Sequence, residues 1–277
     1  MGTLHLVATP IGNLEDITLR ALRVLREAQL LFAEDTRRTR VLLDRHGVGV
    51  RPRSLHAHNE AERIAMAIEV LDAGGGVVLV SDAGMPLVSD PGERLVAAAI
   101  DAGHTVTVAP GASAVSSALV VSGLPATPFT FVGFLPRKTG ERNALLEGLK
   151  MRPDTLVFFE SPQRLVATLG RLREVFGDRR GCVARELTKL HEEVRRGVLS
   201  ELEAYFETGT KGEITIVLEG ASDDPEALRP ADLDAEIRDA LRKGVSSREL
   251  AADLATATGL SKRQLYTRIV ELRNRKG

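Results

Sequence analysis

Four short segments concentrate the residue types that build ligand sites: Thr9-Pro10-Ile11-Gly12-Asn13, Ser81-Asp82-Ala83-Gly84-Met85-Pro86, Ser89-Asp90-Pro91-Gly92 and Pro110-Gly111-Ala112-Ser113-Ala114. Glycine lets a backbone approach a ligand closely, and proline fixes the loop that holds it. Any one of them reads equally well as an ordinary strand-to-helix turn, but the set of four favours a small-molecule site. The chemistry is not that of a phosphate cradle. No G-x-G-x-x-G follows the first apolar run and no Walker-type glycine–lysine loop occurs, which argues against a dinucleotide dehydrogenase and a P-loop NTPase. The absence of a G-x-S-x-G elbow lowers the case for an α/β-hydrolase. His56 and His58 lie two apart in a loop with no second ligand pair, so no metal site is expected.

The elements that must position these segments are short apolar runs alternating with helical patterns. Leu4–Ala8 is β-like and stops at Pro10 and Gly12; a helix follows over Ile17–Ala28, with Leu19, Leu22, Leu25 and Ala28 at three-residue steps. Strands are predicted at Leu30–Ala33, Val77–Val80 and Thr105–Val108, and helices at Glu62–Ala73, Glu93–Ala102 and Ala114–Val121. Runs apolar on both faces, such as Val77-Val78-Leu79-Val80, suit parallel strands covered by helices, and ligands bind such sheets at the C-terminal strand ends. Residues 1–122 therefore read as an α/β domain with a parallel sheet. Gly123–Pro128 looks like a linker into a second α/β domain, residues 123–222. Its strands are expected at Phe129–Leu135, Thr155–Phe159, Gly181–Arg185 and Glu213–Leu218. Its helices are expected at Gly140–Lys150, Pro162–Phe176 and Glu201–Glu207. Asp223-Asp224-Pro225 marks a further boundary, and residues 223–277 read as three short helices: Asp232–Lys243, Ser247–Ala255 and Lys262–Arg273.

Composition narrows the class. The 277 residues carry 37 Lys plus Arg against 38 Asp plus Glu, so any nucleic-acid surface must be local rather than global. The single cysteine, Cys182, excludes an internal disulfide framework and a Cys-rich metal centre, and fits a reducing cytoplasm. The N-terminus lacks the basic region of a signal peptide. The uncharged stretch Thr105–Pro136 is broken by seven Gly and Pro residues, so no membrane span is expected.

Longer motifs carry a family likeness. Val7-Ala8-Thr9-Pro10-Ile11-Gly12-Asn13-Leu14-Glu15-Asp16 followed by Ala33-Glu34-Asp35-Thr36-Arg37 resembles the tetrapyrrole methylase superfamily, and within it the branch that acts on small-subunit ribosomal RNA. The stretches Ser81–Gly92, Pro110–Ala114, Phe159-Glu160-Ser161-Pro162-Gln163-Arg164 and Ala184-Arg185-Glu186-Leu187-Thr188-Lys189 match in order, so the likeness runs from about Leu4 to Gly220. Met85 stands where Thr is expected and Gln163 where His is expected. The resemblance implies two α/β domains of tetrapyrrole methylase type (class III) plus a small helical C-terminal domain. It also implies a homodimer, S-adenosylmethionine (AdoMet) bound between the domains, and methylation of a cytidine ribose 2′-hydroxyl in the decoding region of 16S rRNA, within the 30S subunit. Pro10, Ile11, Gly12, Asp82, Gly84, Met85, Pro86, Ser113 and Ala114 are then expected to line the cofactor, with Phe159, Ser161, Glu213 and Thr215 closing over it.

Under that reading Asp82 would hold the amino group or the ribose hydroxyls of AdoMet, although it could instead be a turn residue. Methyl transfer is an in-line displacement, so positioning supplies much of the acceleration, but a ribose hydroxyl benefits from a general base. Asp35, Glu160, Glu186 and Lys189 are the candidates. Each has a plain alternative: Asp35 orienting Arg37, Glu160 as a capping or hinge carboxylate, and Glu186 paired with Lys189 three residues on. RNA contact falls to three basic clusters, carried by Arg37, Arg38 and Arg40, by Arg137 and Lys138, and by Lys262, Arg263 and Arg268; such charges can equally be a solvated face. The segment Leu254–Lys262 has helix-turn-helix character, or could be a simple helical cap. Two other readings remain: a C-methyltransferase of the same fold acting on a tetrapyrrole, and a DNA-binding regulator built on the C-terminal helices.

Overall fold

The structure, a computed structural model, describes residues 1–56, 59–221, 230–243, 245–258 and 262–274. They form two compact units, residues 1–219 and 220–277.

The first unit holds two sheets. One is fully parallel, built from β1 (Thr3–Val7), β2 (Leu30–Ala33), β3 (Pro52–Ser54), β4 (Gly76–Val80) and β5 (Thr105–Ala109) in the order β3-β2-β4-β1-β5. Successive residues of its central strands alternate between two apolar layers. Leu31, Ala33, Val78 and Val80 join the cluster that includes Leu22 and Leu25 of α1 (Leu19–Glu27) and Leu42 and Leu43 of α2 (Thr36–Arg45). Leu30, Phe32, Val77 and Leu79 join Ala67 and Leu71 of α3 (Glu60–Asp72) and Leu95 and Ala99 of α4 (Glu93–Asp101). That two-sided burial is why these strands read as continuous apolar runs.

The second sheet contains β6 (Phe129–Phe134), β7 (Thr155–Glu160), β8 (Arg180–Arg185), β9 (Glu193–Val198) and β10 (Ile214–Leu218) in the order β6-β7-β10-β8-β9. Only the β6–β7 pair is parallel. Leu156, Phe158, Ile214 and Ile216 face Leu146 of α6 (Thr139–Leu149), Leu169 and Leu172 of α7 (Leu165–Phe176) and Leu202 of α8 (Leu199–Phe206). The opposite face, with Val157, Cys182, Ala184 and Val217, packs on Val115, Ala118 and Leu119 of α5 (Ala114–Ser122), which leaves the first sheet. The i, i+3, i+4 spacing of those three α5 residues presents one apolar stripe to that face. Burial in this seam pushes the free Cys182 thiol up to about 11, so it packs as a small hydrophobe.

Three elements depart from the sequence reading. The basic run after Asp35 is the helix α2, capped by the Asp35 carboxylate accepting from Arg37 N–H. β3 is a three-residue strand opening on Pro52, tolerated because β3 is an edge strand. β9 was not anticipated because its exposed Arg195 and Arg196 interrupt the apolar pattern. The second unit comprises α9 (Pro230–Arg242), α10 (Ser247–Thr258) and α11 (Lys262–Asn274), packed through Leu233, Ile237, Leu250, Leu254, Leu265 and Ile269. The boundary at Asp223-Asp224-Pro225, the turn at Gly259–Ser261 and the basic pair Arg275 and Lys276 lie outside the described residues. Among the described residues no helix is long and apolar enough to cross a membrane.

Leu119, 4% exposed in the seam, tests the union of the two sheets. Leu119→Ala should lower unfolding free energy by about 2–5 kcal/mol in urea titrations, as expected for a buried Leu truncation. A change within about 0.5 kcal/mol would mean that the seam does not stabilise the unit.

Candidate functional site

The C-terminal ends of three adjacent strands, β4, β1 and β5, lead into the Gly- and Pro-rich segments. Beyond β1, Thr9 and Gly84 exchange backbone hydrogen bonds of 2.9 and 3.0 Å, and Thr9 Oγ1 donates to Ser81 O at 3.0 Å. Gly84 sits at φ +81°, a conformation glycine adopts without penalty. From the second sheet, the loop after β8 reaches back over the loop after β1. Asn13 N–H donates to Thr188 Oγ1 at 3.0 Å, and a Cβ on Gly12 would lie 2.9 Å from Leu187 O and 2.5 Å from Lys189 Cγ. Gly12 thus admits the close approach of the two loops.

Between these loops lies a cavity of about 380 Å³, within the range typical of small-molecule sites. Of the expected cofactor residues, Ile11, Asp82, Gly84, Met85, Ser113, Ala114, Phe159, Ser161, Glu213 and Thr215 line it. Pro10, Gly12 and Pro86 do not form its wall; Pro10 and Pro86 are buried, and Gly12 serves the loop contact. Ser89 and Asp90, from the third Gly- and Pro-rich segment, and Ala184 and Leu187, from the Ala184–Lys189 motif, also line the cavity without having been assigned to the cofactor, and Phe134 lines it with no sequence signal. For Asp90 the signal was present, in the Ser89-Asp90-Pro91-Gly92 turn. All four non-glycine residues with positive φ among the described residues flank this space: Leu87, Ser89, Glu186 and Thr188. Backbone strain of this kind persists where the surroundings over-determine it and clusters at ligand sites.

One wall of the cavity is acidic. Asp82 Oδ1 accepts from Asp35 N–H at 2.8 Å, while its other oxygen lies 3.8 Å from Arg38 Nε. Burial raises the Glu34 carboxyl above its usual range, helped by the charges of Asp90 and Asp82. Burial likewise raises Asp90, with Asp82 adding to the shift and a hydrogen bond from Ser81 opposing it. Carboxylates beside apolar walls fit a cationic sulfonium, its amino group and its adenosine, so the residues present suit AdoMet.

The four candidate bases are all engaged. Asp35 is held well below the usual carboxylate range by hydrogen bonds from the side chain and backbone of Arg37, whose guanidinium lies 2.8 Å away. Glu160, 3% exposed, is the one of the four that lines the cavity. Its Oε1 accepts from Ser161 N–H at 2.8 Å and its Oε2 from Thr168 Oγ1 at 2.6 Å, with Arg164 3.4 Å away. Lys189 Nζ donates to Glu186 Oε1 at 2.7 Å and to Glu213 Oε2 at 3.0 Å. Burial pulls the Lys189 pKa down, but these carboxylates outweigh it and hold the ammonium protonated; the same lysine keeps Glu186 low. Among the described residues no group of three or more His, Cys, Asp and Glu is placed to hold a metal, and His58 lies outside them.

The basic clusters are distributed. Arg38 lines the cavity, 3.9 Å from Glu213. Arg37 and Arg40 are exposed on α2, the latter 3.0 Å from Asp44, and Arg137 and Lys138 are exposed just after β6. In the second unit Lys262 and Arg263 are exposed, whereas Arg268 forms a two-pronged bridge to Asp234 at 2.9 and 3.1 Å.

Asp90 offers a test of the acidic wall. Its pKa is raised in the fold, so the native state binds the proton more tightly than the unfolded chain and bears a cost while Asp90 is ionised. Asp90→Asn should therefore raise the melting temperature at pH 7. The gain should shrink as pH falls through the raised Asp90 pKa and disappear below its usual value of 3.8. A variant no more stable than the parent at pH 7 would contradict this burial cost.

Comparison with known proteins accords with this geometry. The fold is shared with a diphthine synthase structure (TM-score 0.62, 17% identity, 79% of this chain and 90% of that one). It is also similar to uroporphyrin-III-C-methyltransferase from Thermus thermophilus (TM-score 0.57, 25% identity, 78% and 94%). Three relatives share the description ribosomal RNA small subunit methyltransferase I. That of Mesorhizobium japonicum is 47% identical over 99% of this chain and 93% of its own length. That of Streptococcus pyogenes serotype M3 is 43% identical over 98% and 96%. That of Thermotoga maritima is 50% identical over 79% and 99%. Residues 3–203 match the family described as Tetrapyrrole (Corrin/Porphyrin) Methylases. On that match, and on relatives similar along nearly its whole length, the chain belongs to the tetrapyrrole methylase family.

Proposed function

We propose that this chain transfers the methyl group of AdoMet to the ribose 2′-hydroxyl of a cytidine in the decoding region of 16S rRNA. In this reading it acts on the 30S subunit, in the cytoplasm and as a homodimer. The observation that carries the reading is the cavity of about 380 Å³ between the two sheets, acidic on one side and lined from both, in a chain 47% identical to an rRNA methyltransferase along its length.

Bound AdoMet supplies a methyl group activated by its sulfonium. The protein contributes the surroundings. In this reading Asp82 holds the amino group or ribose hydroxyls, Ile11, Met85, Phe159 and Ala114 wall the adenosine, and Ser113, Glu213 and Thr215 fix its orientation. Lys189 and Glu186 brace Glu213, and Glu160 fixes the Ser161 turn through its hydrogen bonds, so all three act as positioning residues. With all four candidate bases engaged, rate depends chiefly on holding the hydroxyl in line with the methyl. Arg37, Arg38, Arg40, Arg137 and Lys138 supply phosphate contacts around the cavity, while Lys262 and Arg263 add a second basic surface. Arg268, tied to Asp234, supports the helical unit instead. The family match spans residues 3–203, within the first unit, which supports placing the chemistry there.

A tetrapyrrole C-methyltransferase remains the second reading, favoured by the likeness to uroporphyrin-III-C-methyltransferase. Transfer of labelled methyl from AdoMet to purified 30S subunits, with the modified nucleotide mapped, separates the two. The expected label is on the 2′-oxygen of a decoding-region cytidine. Asp82→Ala should weaken AdoMet binding by about 10- to 100-fold, as for a lost hydrogen bond to a charged group. AdoMet binding with labelling of a porphyrinoid but not of RNA would reverse the assignment.

A further inference from the structure

The strand β6 carries a defect that aims one aromatic ring. Phe131 pairs with Val157 and Gly133 with Phe158, so Val132 is an extra residue bulged out of the β6–β7 ladder. Gly133 takes φ +76° at the bulge. In a regular strand, residues three apart point to opposite faces. The bulge resets that alternation, and both Phe131 and Phe134 reach the same partner. Phe159 lies 4.9 Å from Phe131, edge on, and 5.5 Å from Phe134, tilted by 58°. Bulges of this kind re-aim side chains beside active sites.

The result is a ring supported on one side and open on the other. The chain has eight Phe, two Tyr and no Trp. Its exposed aromatic side chains among the described residues are Phe129, Phe134, Tyr205 and Tyr266, and of these only Phe134 lines the cavity. Phe134 is 55% exposed, and the chain continues from it through Leu135 and Pro136 to the exposed cations Arg137 and Lys138.

We infer that Phe134 is the stacking platform for the nucleobase of the target nucleotide, held at the mouth of the cavity so that its ribose faces the methyl donor. This deepens the RNA reading above and rests on it. A base on the Phe134 face would set its flanking phosphates beside Arg137 and Lys138, three and four residues along the chain. AdoMet carries no phosphate and only one carboxylate, whereas an RNA strand presents a phosphate on each side of the base. Single-stranded RNA is commonly gripped by this combination of aromatic face and nearby positive charge.

The test uses the full-length protein with 30S subunits and saturating AdoMet. Phe134→Leu keeps apolar bulk but removes the π-face, and Phe134→Trp enlarges it; the position is exposed, and thermal unfolding checks that the fold is intact. Phe134→Leu should lower kcat/KM for 30S by about 5- to 100-fold, in line with a lost base stack, while Phe134→Trp stays within about threefold of the parent. The Kd for AdoMet alone, measured by calorimetry, should stay within twofold for both. An unchanged kcat/KM in Phe134→Leu, with the parent active, overturns the stacking role alone. A parallel loss of AdoMet affinity would assign the ring to the adenine of the cofactor and also overturn it. A parent that labels no RNA would sink the functional reading and this inference together.

Discussion

The site depends on one apolar seam. Val115, Ala118 and Leu119 of α5 belong by connection to the parallel sheet but pack against Val157, Cys182 and Val217 of the other. Neither sheet alone encloses the cavity. Its walls are the strand-end loops of the first sheet and the ends of β7, β8 and β10 in the second. Burying that stripe fixes the distance between the two sets, and the loop contact at Gly12 sets it more finely. A side chain there would meet the Lys189 and Thr188 side chains and, at 2.9 Å, the Leu187 carbonyl; the side chains could move, but the backbone carbonyl cannot be relaxed cheaply. The positive-φ backbone at Leu87, Ser89, Glu186 and Thr188 is borne by loops that the seam brings face to face.

Electrostatics divide the cavity into two ends. Asp82 and Asp90 line the acidic side, where burial and the Asp82 charge raise Asp90, and burial helped by both their charges raises Glu34 outside the cavity wall. On the other side, Lys189 joins Glu186 and Glu213, and Arg38 lies between Asp82 and Glu213 at 3.8 and 3.9 Å. A cation entering the acidic end relieves the repulsion there, which gives the arrangement a physical reason beyond structure. The ion pairs of Lys189 and the hydrogen bonds that both oxygens of Glu160 accept make these groups braces for the walls. A large catalytic contribution from positioning is consistent with a reaction whose electrophile is already activated.

Much of this was legible in the chain itself. β2 and β4 announce themselves because pleating sends alternate apolar residues into two covered layers, leaving no polar face. The Gly, Pro and Asp segments mark strand ends because those residues form the turns that a ligand can approach. Other features were hidden for definite reasons. α2 contains four arginines in ten residues and shows only Thr39, Leu42 and Leu43 to the core, so its pattern reads as a charged run. β9 is a partly polar edge. The pairing of Asp35 N–H with Asp82 and of Lys189 with Glu213 spans 47 and 24 residues and exists only once the sheets have formed. The direction of Phe134 is a consequence of the bulge at Val132, which no periodicity in Phe129–Phe134 records.

The central claim is that AdoMet lies between the two sheets with its methyl group open toward the aromatic mouth. A crystal structure of the protein soaked or grown with AdoMet tests it most directly. The account predicts the cofactor in contact with Asp82 and Ser113 from one sheet and Phe159 and Thr215 from the other, its sulfonium toward the acidic wall. AdoMet bound against the loops of a single sheet, or outside the cavity, would contradict it.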